Sequence, residues 1–200
     1  MKSGKIVCLC LLGFSFLLLL FLNKKEEGNS LDKAYQELVV QLDSLAVYQY
    51  NFELDAQFTG TRIENLECQT EDGRQVRLSD MVENGPVLVY RYADINCNVC
   101  IEAEIEVLHK NFKGQEDRVL LLCSYQLDRD FLIFKKINKI RFPFCRIPKD
   151  ALKWGVEKPN NPYCFVLHPD LKVSNVFVPD KSFPNMNELY LQGIKRLIEK

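Results

Sequence analysis

Pro86-Val87-Leu88-Val89-Tyr90-Arg91-Tyr92-Ala93-Asp94-Ile95-Asn96-Cys97-Asn98-Val99-Cys100 holds both the fold and the chemistry of this chain in one run. Its first seven residues are apolar and rich in strand formers, which predicts a buried β-strand. Beyond it, Ile101 to Phe112 contains no Gly or Pro and sets Ile101, Ile105 and Leu108 at helical spacing. The two cysteines therefore fall where a strand gives way to a helix. A helix N-terminus offers unpaired N–H groups and partial positive charge, which stabilise a thiolate at the first cysteine. The second lies one turn on, close enough to form a disulfide with the first and release whatever the first has attacked. The arrangement suits thiol–disulfide exchange.

Two hundred residues with 47% apolar content suffice for one core domain and an appendage. The 26 Lys and Arg against 27 Asp and Glu give a net charge of −1. They are scattered, so no electrostatic footprint for nucleic acid exists. At the front, Lys2 and Lys5 precede an apolar run from Ile6 to Leu22, followed by Asn23-Lys24-Lys25-Glu26-Glu27. Residues 1–23 read as a signal anchor, a transmembrane helix at the short end of the spanning range. No small-residue cleavage site follows Leu22, so the segment is expected to stay. Cys8 and Cys10 lack the small-residue box of a lipoprotein cysteine and read as lipid-facing. The N-terminus is placed in the cytoplasm and residues 24–200 outside it.

Six cysteines lie beyond the anchor: Cys68, Cys97, Cys100, Cys123, Cys145 and Cys164. Only Cys97 and Cys100 have redox spacing. Cys123 and Cys164 sit in apolar, strand-like runs and are expected to be buried free thiols. No second close Cys or His pair completes a zinc site, so no metal is expected.

Residues 24–30 form a polar linker. Leu31 to Ala46 places Leu31, Ala34, Tyr35, Leu38, Val39, Leu42, Leu45 and Ala46 on one helical face, a repeat too short to predict a coiled coil. Tyr48 to Thr61 reads as irregular or short strand, which makes 24–62 a linker with an amphipathic helix and 63–200 the folded domain. Within that domain, Asp72-Gly73 marks a hairpin between Asn65–Thr70 and Gln75–Leu78. Ser79-Asp80 caps a short helical turn. After the strand and the cysteine helix come a buried strand over Asp117–Tyr125, a helix over Asp128–Ile140 and an extended Phe142–Ile147. A short helix over Asp150–Val156, a hairpin of Tyr163–Leu167 with Lys172–Val178, and a final amphipathic helix from Asn185 complete the pattern. This predicts an α/β fold, a mixed sheet with helices on both faces.

The chain resembles thioredoxin-fold proteins, in particular the membrane-anchored TlpA and ResA oxidoreductases and related redoxins, over roughly residues 63–199. The likeness rests on the hairpin before Leu78-Ser79-Asp80, on Cys97-Asn98-Val99-Cys100 between strand and helix, and on Trp154-Gly155-Val156, Asn161-Pro162 and Phe165-Val166-Leu167-His168-Pro169-Asp170. It implies a three-layer α/β/α domain with an N-terminal β-hairpin, held at a bacterial inner membrane on the periplasmic side. Cys97 would be the exposed nucleophile and Cys100 the resolving thiol. Asn161 and Pro162 would contact substrate, Pro162 as the family's cis-proline, against its reading as an ordinary loop proline. The partners would be protein thiols and disulfides and an unidentified redox partner, with no organic cofactor.

Departures from that pattern bear on the chemistry. Asn96 stands where thioredoxins carry Trp, and no Pro lies between the cysteines. Arg91 occupies the place of a buried acid; either it points inward near Cys100, or a one-residue bulge turns it outward, the reading adopted. Asp94, Glu102 and Glu104 read as solvated acids, although one could accept the Cys100 proton. His109 and His168 read as surface residues. Three other functions compete: a non-catalytic binding module, a thiol peroxidase, and a copper chaperone using Cys97, Cys100 and a His. The peroxidase lacks the Thr and Pro it needs before Cys97.

Overall fold

The computed structural model describes residues 32–157 and 161–198. The anchor expected over 1–23 and the linker over 24–30 lie outside them. No helix among the described residues is long and apolar enough to cross a membrane. Two compact units divide the chain after Tyr48. In the first, residues 32–48 are helical, and this helix, α1 (residues 32–58), runs on into the second unit.

Helix thus replaces the irregular segment expected over Tyr48–Thr61. Tertiary contacts decide it. Leu54 and Phe58 are buried one turn apart in the domain core, and Asn51 is buried a turn earlier. Asn51 Oδ1 accepts the Val178 N–H at 2.7 Å, and Asp55 Oδ1 accepts the Val176 N–H at 3.0 Å. Residues 60–63 then pair with the segment Leu171–Val173 through backbone hydrogen bonds of 2.8 to 3.0 Å. Residues 51–63 therefore cover the outer edge of the last strand, which would otherwise present free N–H groups.

The sheet has seven strands: β1 (Glu67–Thr70), β2 (Gln75–Arg77), β3 (Val87–Ala93), β4 (Val119–Ser124), β5 (Phe144–Arg146), β6 (Tyr163–Leu167) and β7 (Val173–Phe177). Their spatial order is β2-β1-β5-β4-β3-β6-β7. β4 pairs in parallel with β3 and β5, and all other neighbours are antiparallel. The hairpin turns at Gly73, whose φ of +81° suits a residue without Cβ. Three helices follow the strands: α2 (Asn98–Asn111), α3 (Asp128–Ile137) and α4 (Pro184–Ile198).

All seven residues of β3 are buried, so both of its faces are covered. Leu88, Tyr90 and Tyr92 pack with Ile101, Ile105 and Leu108 of α2, Phe131 of α3, and Leu191 and Ile194 of α4. Val87 and Val89 face the opposite cluster with Leu54, Phe58, Leu152 and Phe165. The mixed sheet with helix on both faces is as expected, but α2, α3 and α4 all lie on one face. β3–α2–β4 and β4–α3–β5 step across the sheet in one direction, and crossovers of fixed hand put both helices on the same face. α4 joins them there. The other face is covered by the last turns of α1 and by an irregular stretch where a helix over Asp150–Val156 was expected. Only Gly155–Glu157 forms a 3-10 turn in it. Trp154 is drawn inward, its ring centroid 5.5 Å from Phe58 and 5.0 Å from Phe165, and Leu152 and Val156 fill the same core. Those contacts outweigh local helix preference.

Asn51→Ala would strand the Val178 N–H at the covered edge and should destabilise the domain by about 1–3 kcal/mol. Equilibrium chemical denaturation followed by circular dichroism measures it.

Candidate active site: a dithiol at the head of a helix

β3 leaves the sheet through a turn that Asn96 closes twice. Its Oδ1 accepts the Ala93 N–H at 2.6 Å, and its own N–H donates to the Ala93 carbonyl at 3.0 Å. The Asp94 N–H donates to the Ser124 carbonyl at 2.9 Å, and Asp94 Oδ2 accepts the Gln126 N–H at 3.1 Å, tying the turn to the end of β4. Asn96 replaces the bulk of Trp with a side-chain clasp on the Ala93 backbone. Its residue type before a helix start was the signal for that role, one that reading it only as a missing Trp overlooked.

Cys97 is the N-cap of α2. Its extended backbone (φ −63°, ψ 109°) lets its carbonyl accept the N–H groups of Cys100 and Ile101, both at 3.0 Å. Cys97 is exposed and Cys100 half-buried. The Cys100 thiol hydrogen-bonds to the Cys97 sulfur and, with the amide N–H groups of Cys100 and Val99 and the charge of Lys181, holds the Cys97 thiol below its ordinary value. The same hydrogen bond pushes Cys100 up. Ile95 and Val99, 46% and 72% exposed, place apolar surface beside the pair.

Glu104 departs from expectation. It lies one turn beyond Cys100 on α2 and is 7% exposed, with Ile101, Ile105 and Leu108 buried alongside it. Burial pushes its carboxyl up to about 7. Tyr90, on the β3 face that α2 covers, has its phenol raised by burial first and then by Cys164, Glu104, Cys100 and Cys97. Glu104 and Cys100 are thus four residues apart on one helix. Glu102, by contrast, is exposed and Asp94 half-buried at the turn.

Arg91 also departs. β3 carries no bulge at this position: Arg91 pairs regularly with Leu122 and Tyr163 and is 2% exposed. It belongs to the set of β3 side chains opposite α2. Its guanidinium donates to Glu157 Oε1 at 2.8 Å, to the Tyr92 carbonyl at 2.6 Å and to the Lys149 carbonyl at 3.3 Å. Tyr163 donates its hydroxyl to the same Glu157 oxygen at 2.9 Å. A buried cation was affordable here because Glu157 and three main-chain carbonyls, Leu122 included, surround it.

A cleft of about 580 Å³ opens beside this ion pair, lined among others by Arg91, Ile95, Asn96, Trp154, Asn161 and Tyr163. It touches the cysteine turn through Ile95 and Asn96. Asn161 thus borders the cleft, while half-buried Pro162 leads into β6. The Asn161–Pro162 peptide is trans, not cis. Trans is the lower-energy isomer even before proline, and β6 begins its pairing at the next residue, Tyr163 opposite Arg91.

His109 stacks on Phe142 with centroids 4.4 Å apart, and burial followed by the charge of Arg141 pulls its pKa down. His168 shares a 2.9 Å hydrogen bond with Ser174. Cys123 and Cys164 are buried thiols with pKa values well above ordinary, chiefly from burial, and Cys68 and Cys145 are buried as well. Among the described residues, no group of three His, Cys, Asp or Glu is placed to hold a metal ion.

Two variants test the buried charges. Arg91→Ala leaves Glu157 without its partner and should cost about 3–5 kcal/mol in chemical denaturation. Glu104 binds its proton more tightly folded than unfolded, so stability falls as pH rises from about 4.5 to about 7. The difference corresponds to about 3 kcal/mol. Glu104→Gln should abolish that slope and exceed the native chain in stability at pH 8, while matching it near pH 4.

No family model matches the chain, and no curated protein is significantly similar to it. Solved structures are. Peroxidoxin BcpB from Mycobacterium tuberculosis superposes with a TM-score of 0.52 at 20% identity, covering 70% of this chain and 97% of that one. A candidate protein disulfide isomerase from Bacteroides thetaiotaomicron superposes with a TM-score of 0.54 at 18% identity, covering 71% and 91%. At these identities the likeness establishes the fold: a mixed-sheet, thioredoxin-like α/β domain.

Proposed function

We propose that this protein is a thiol–disulfide oxidoreductase acting on protein substrates outside the cytoplasm, tethered to the bacterial inner membrane by residues 1–23. The observation that carries the reading is the asymmetry of the pair. An exposed, acid-shifted Cys97 caps α2, and a less accessible, higher-pKa Cys100 stands hydrogen-bonded behind it. The apolar run Ile6–Leu22 after Lys2 and Lys5 supports the tether.

The Cys97 thiolate attacks one sulfur of a substrate disulfide; an S–S bond forms to Cys97 and the substrate's other sulfur leaves as thiolate. Cys100 then loses its proton and attacks Cys97. The Cys97–Cys100 disulfide forms, and the second substrate sulfur leaves as thiolate. Two electrons pass from the pair to the substrate, and a separate redox partner restores the dithiol. The reverse sequence oxidises a substrate dithiol. Glu104, buried one turn behind Cys100 and with a pKa of about 7, is the group suited to accept the Cys100 proton. Ile95 and Val99 offer apolar contact to a substrate segment, and Asn161 borders the cleft that reaches the cysteine turn.

The soluble fragment from residue 49 should catalyse insulin reduction by dithiothreitol, and Cys97→Ser should reduce it to background. Cys100→Ser should accumulate mixed disulfides at Cys97 in cells, visible on non-reducing gels and released by reductant. Full activity in Cys97→Ser would refute the assignment, as would rapid peroxide consumption without disulfide reduction.

A further inference from the structure

Helix α1 carries an apolar stripe that the domain does not use. Tyr35, Leu38, Leu42 and Leu45 recur at spacings of three and four and are 63%, 52%, 56% and 61% exposed. The same phase continues to Gln49 and to Phe52, which is 74% exposed. Asn51, Leu54 and Phe58, the residues of α1 buried in the domain, have a different phase. The sequence between Leu31 and Ala46 held too few repeats for a coiled coil. Residues 32 to 58 are helical, and the seven-residue spacing extends in the sequence from Tyr35 to Phe52 with Gln49 as its one polar member.

Charge decides between two surfaces that could cover such a stripe. Residues 32–58 contain Asp32, Glu37, Asp43, Glu53 and Asp55 but Lys33 as their one cation. A helix lying on anionic lipid needs Lys and Arg on its polar face, and this one would be repelled. A second copy of the helix meets no such obstacle. In a parallel pair the residues flanking the seam would face each other as Ala34 with Val39, Gln41 with Ala46, and Tyr48 with Glu53. No like charges meet, and the small apolar flanks widen the contact. Antiparallel pairing would instead set Asp32 against Glu53 at both ends. Aromatic side chains contribute about 150–250 Å² each when buried, so Tyr35 and Phe52 with three leucines and the flanks approach the roughly 800 Å² per partner of a stable interface.

We propose that α1 is one strand of a parallel, two-stranded coiled coil, so that the protein is a homodimer carrying two dithiol sites. Gln49, the single polar residue in the seam, sets the register.

The test uses the full chain in detergent. Sedimentation equilibrium should report twice the chain mass of 23.3 kDa, with detergent density-matched. Leu42→Asp together with Leu45→Asp should weaken association at least a hundredfold, to monomer at micromolar concentration. Val40→Asp, 58% exposed on the same helix but off the seam, should leave the dimer intact. Leu38→Cys should form an intermolecular disulfide absent from the native chain, as a parallel seam requires. Insulin reduction retained in every variant shows that the domain remains folded. A monomeric native chain, a dimer that survives the double substitution, equal loss in Val40→Asp, no cross-link at residue 38, or association only with anionic vesicles would each overturn the proposal.

Discussion

Strand β3 is hydrogen-bonded to β4 on one side and to β6 on the other along nearly its whole length, and everything about the dithiol follows from that double pairing. A strand with neighbours on both edges and cover on both faces has no freedom to slip, because a one-residue shift would turn every buried side chain to the wrong layer. The turn at its end is clasped by Asn96 and tied to β4 by Asp94. Cys97 is therefore delivered to the first position of α2 by rigid elements, its sulfur at the end where the helix concentrates unpaired N–H groups.

From that position the two thiols diverge. Helix amides and Lys181 favour charge on Cys97, while the hydrogen bond that Cys100 gives keeps its own proton in place. Glu104 adds a third group whose charge is disfavoured by burial. A carboxyl kept in apolar surroundings lowers the stability of the fold at neutral pH, and this one lies one turn along α2 from Cys100. Arg91 and Glu157 lie on the opposite sheet face and neutralise each other there, so they shape the cleft beside the cysteine turn without supplying a free cation to either sulfur.

Where one signal sufficed, the sequence was readable. The apolar run of β3, the Asp72-Gly73 turn and the helical spacing after Cys100 each named their element, because local pattern and tertiary environment agree there. Reading failed where a distant partner decides. Residues 48–58 have no strong local preference, and their helix exists because Asn51, Leu54, Asp55 and Phe58 meet β7 and the core. Trp154 broke an expected helix to stack on Phe58 and pack at a tilt against Phe165. Arg91 looked like a residue to be turned outward, since Glu157, sixty-six positions away, could not be identified as its partner. Glu104 looked like a surface acid because a helical wheel shows which face a residue shares but not that a carboxyl there will lack water.

The rates at which Cys97 and Cys100 of the reduced protein react with iodoacetamide, followed site by site by mass spectrometry across pH, bear most directly on the central claim. Cys97 should ionise below an ordinary cysteine and react first, with Cys100 ionising above it. Equal reactivity with ordinary ionisation at both positions, or a Cys97 shielded from the reagent, would contradict it.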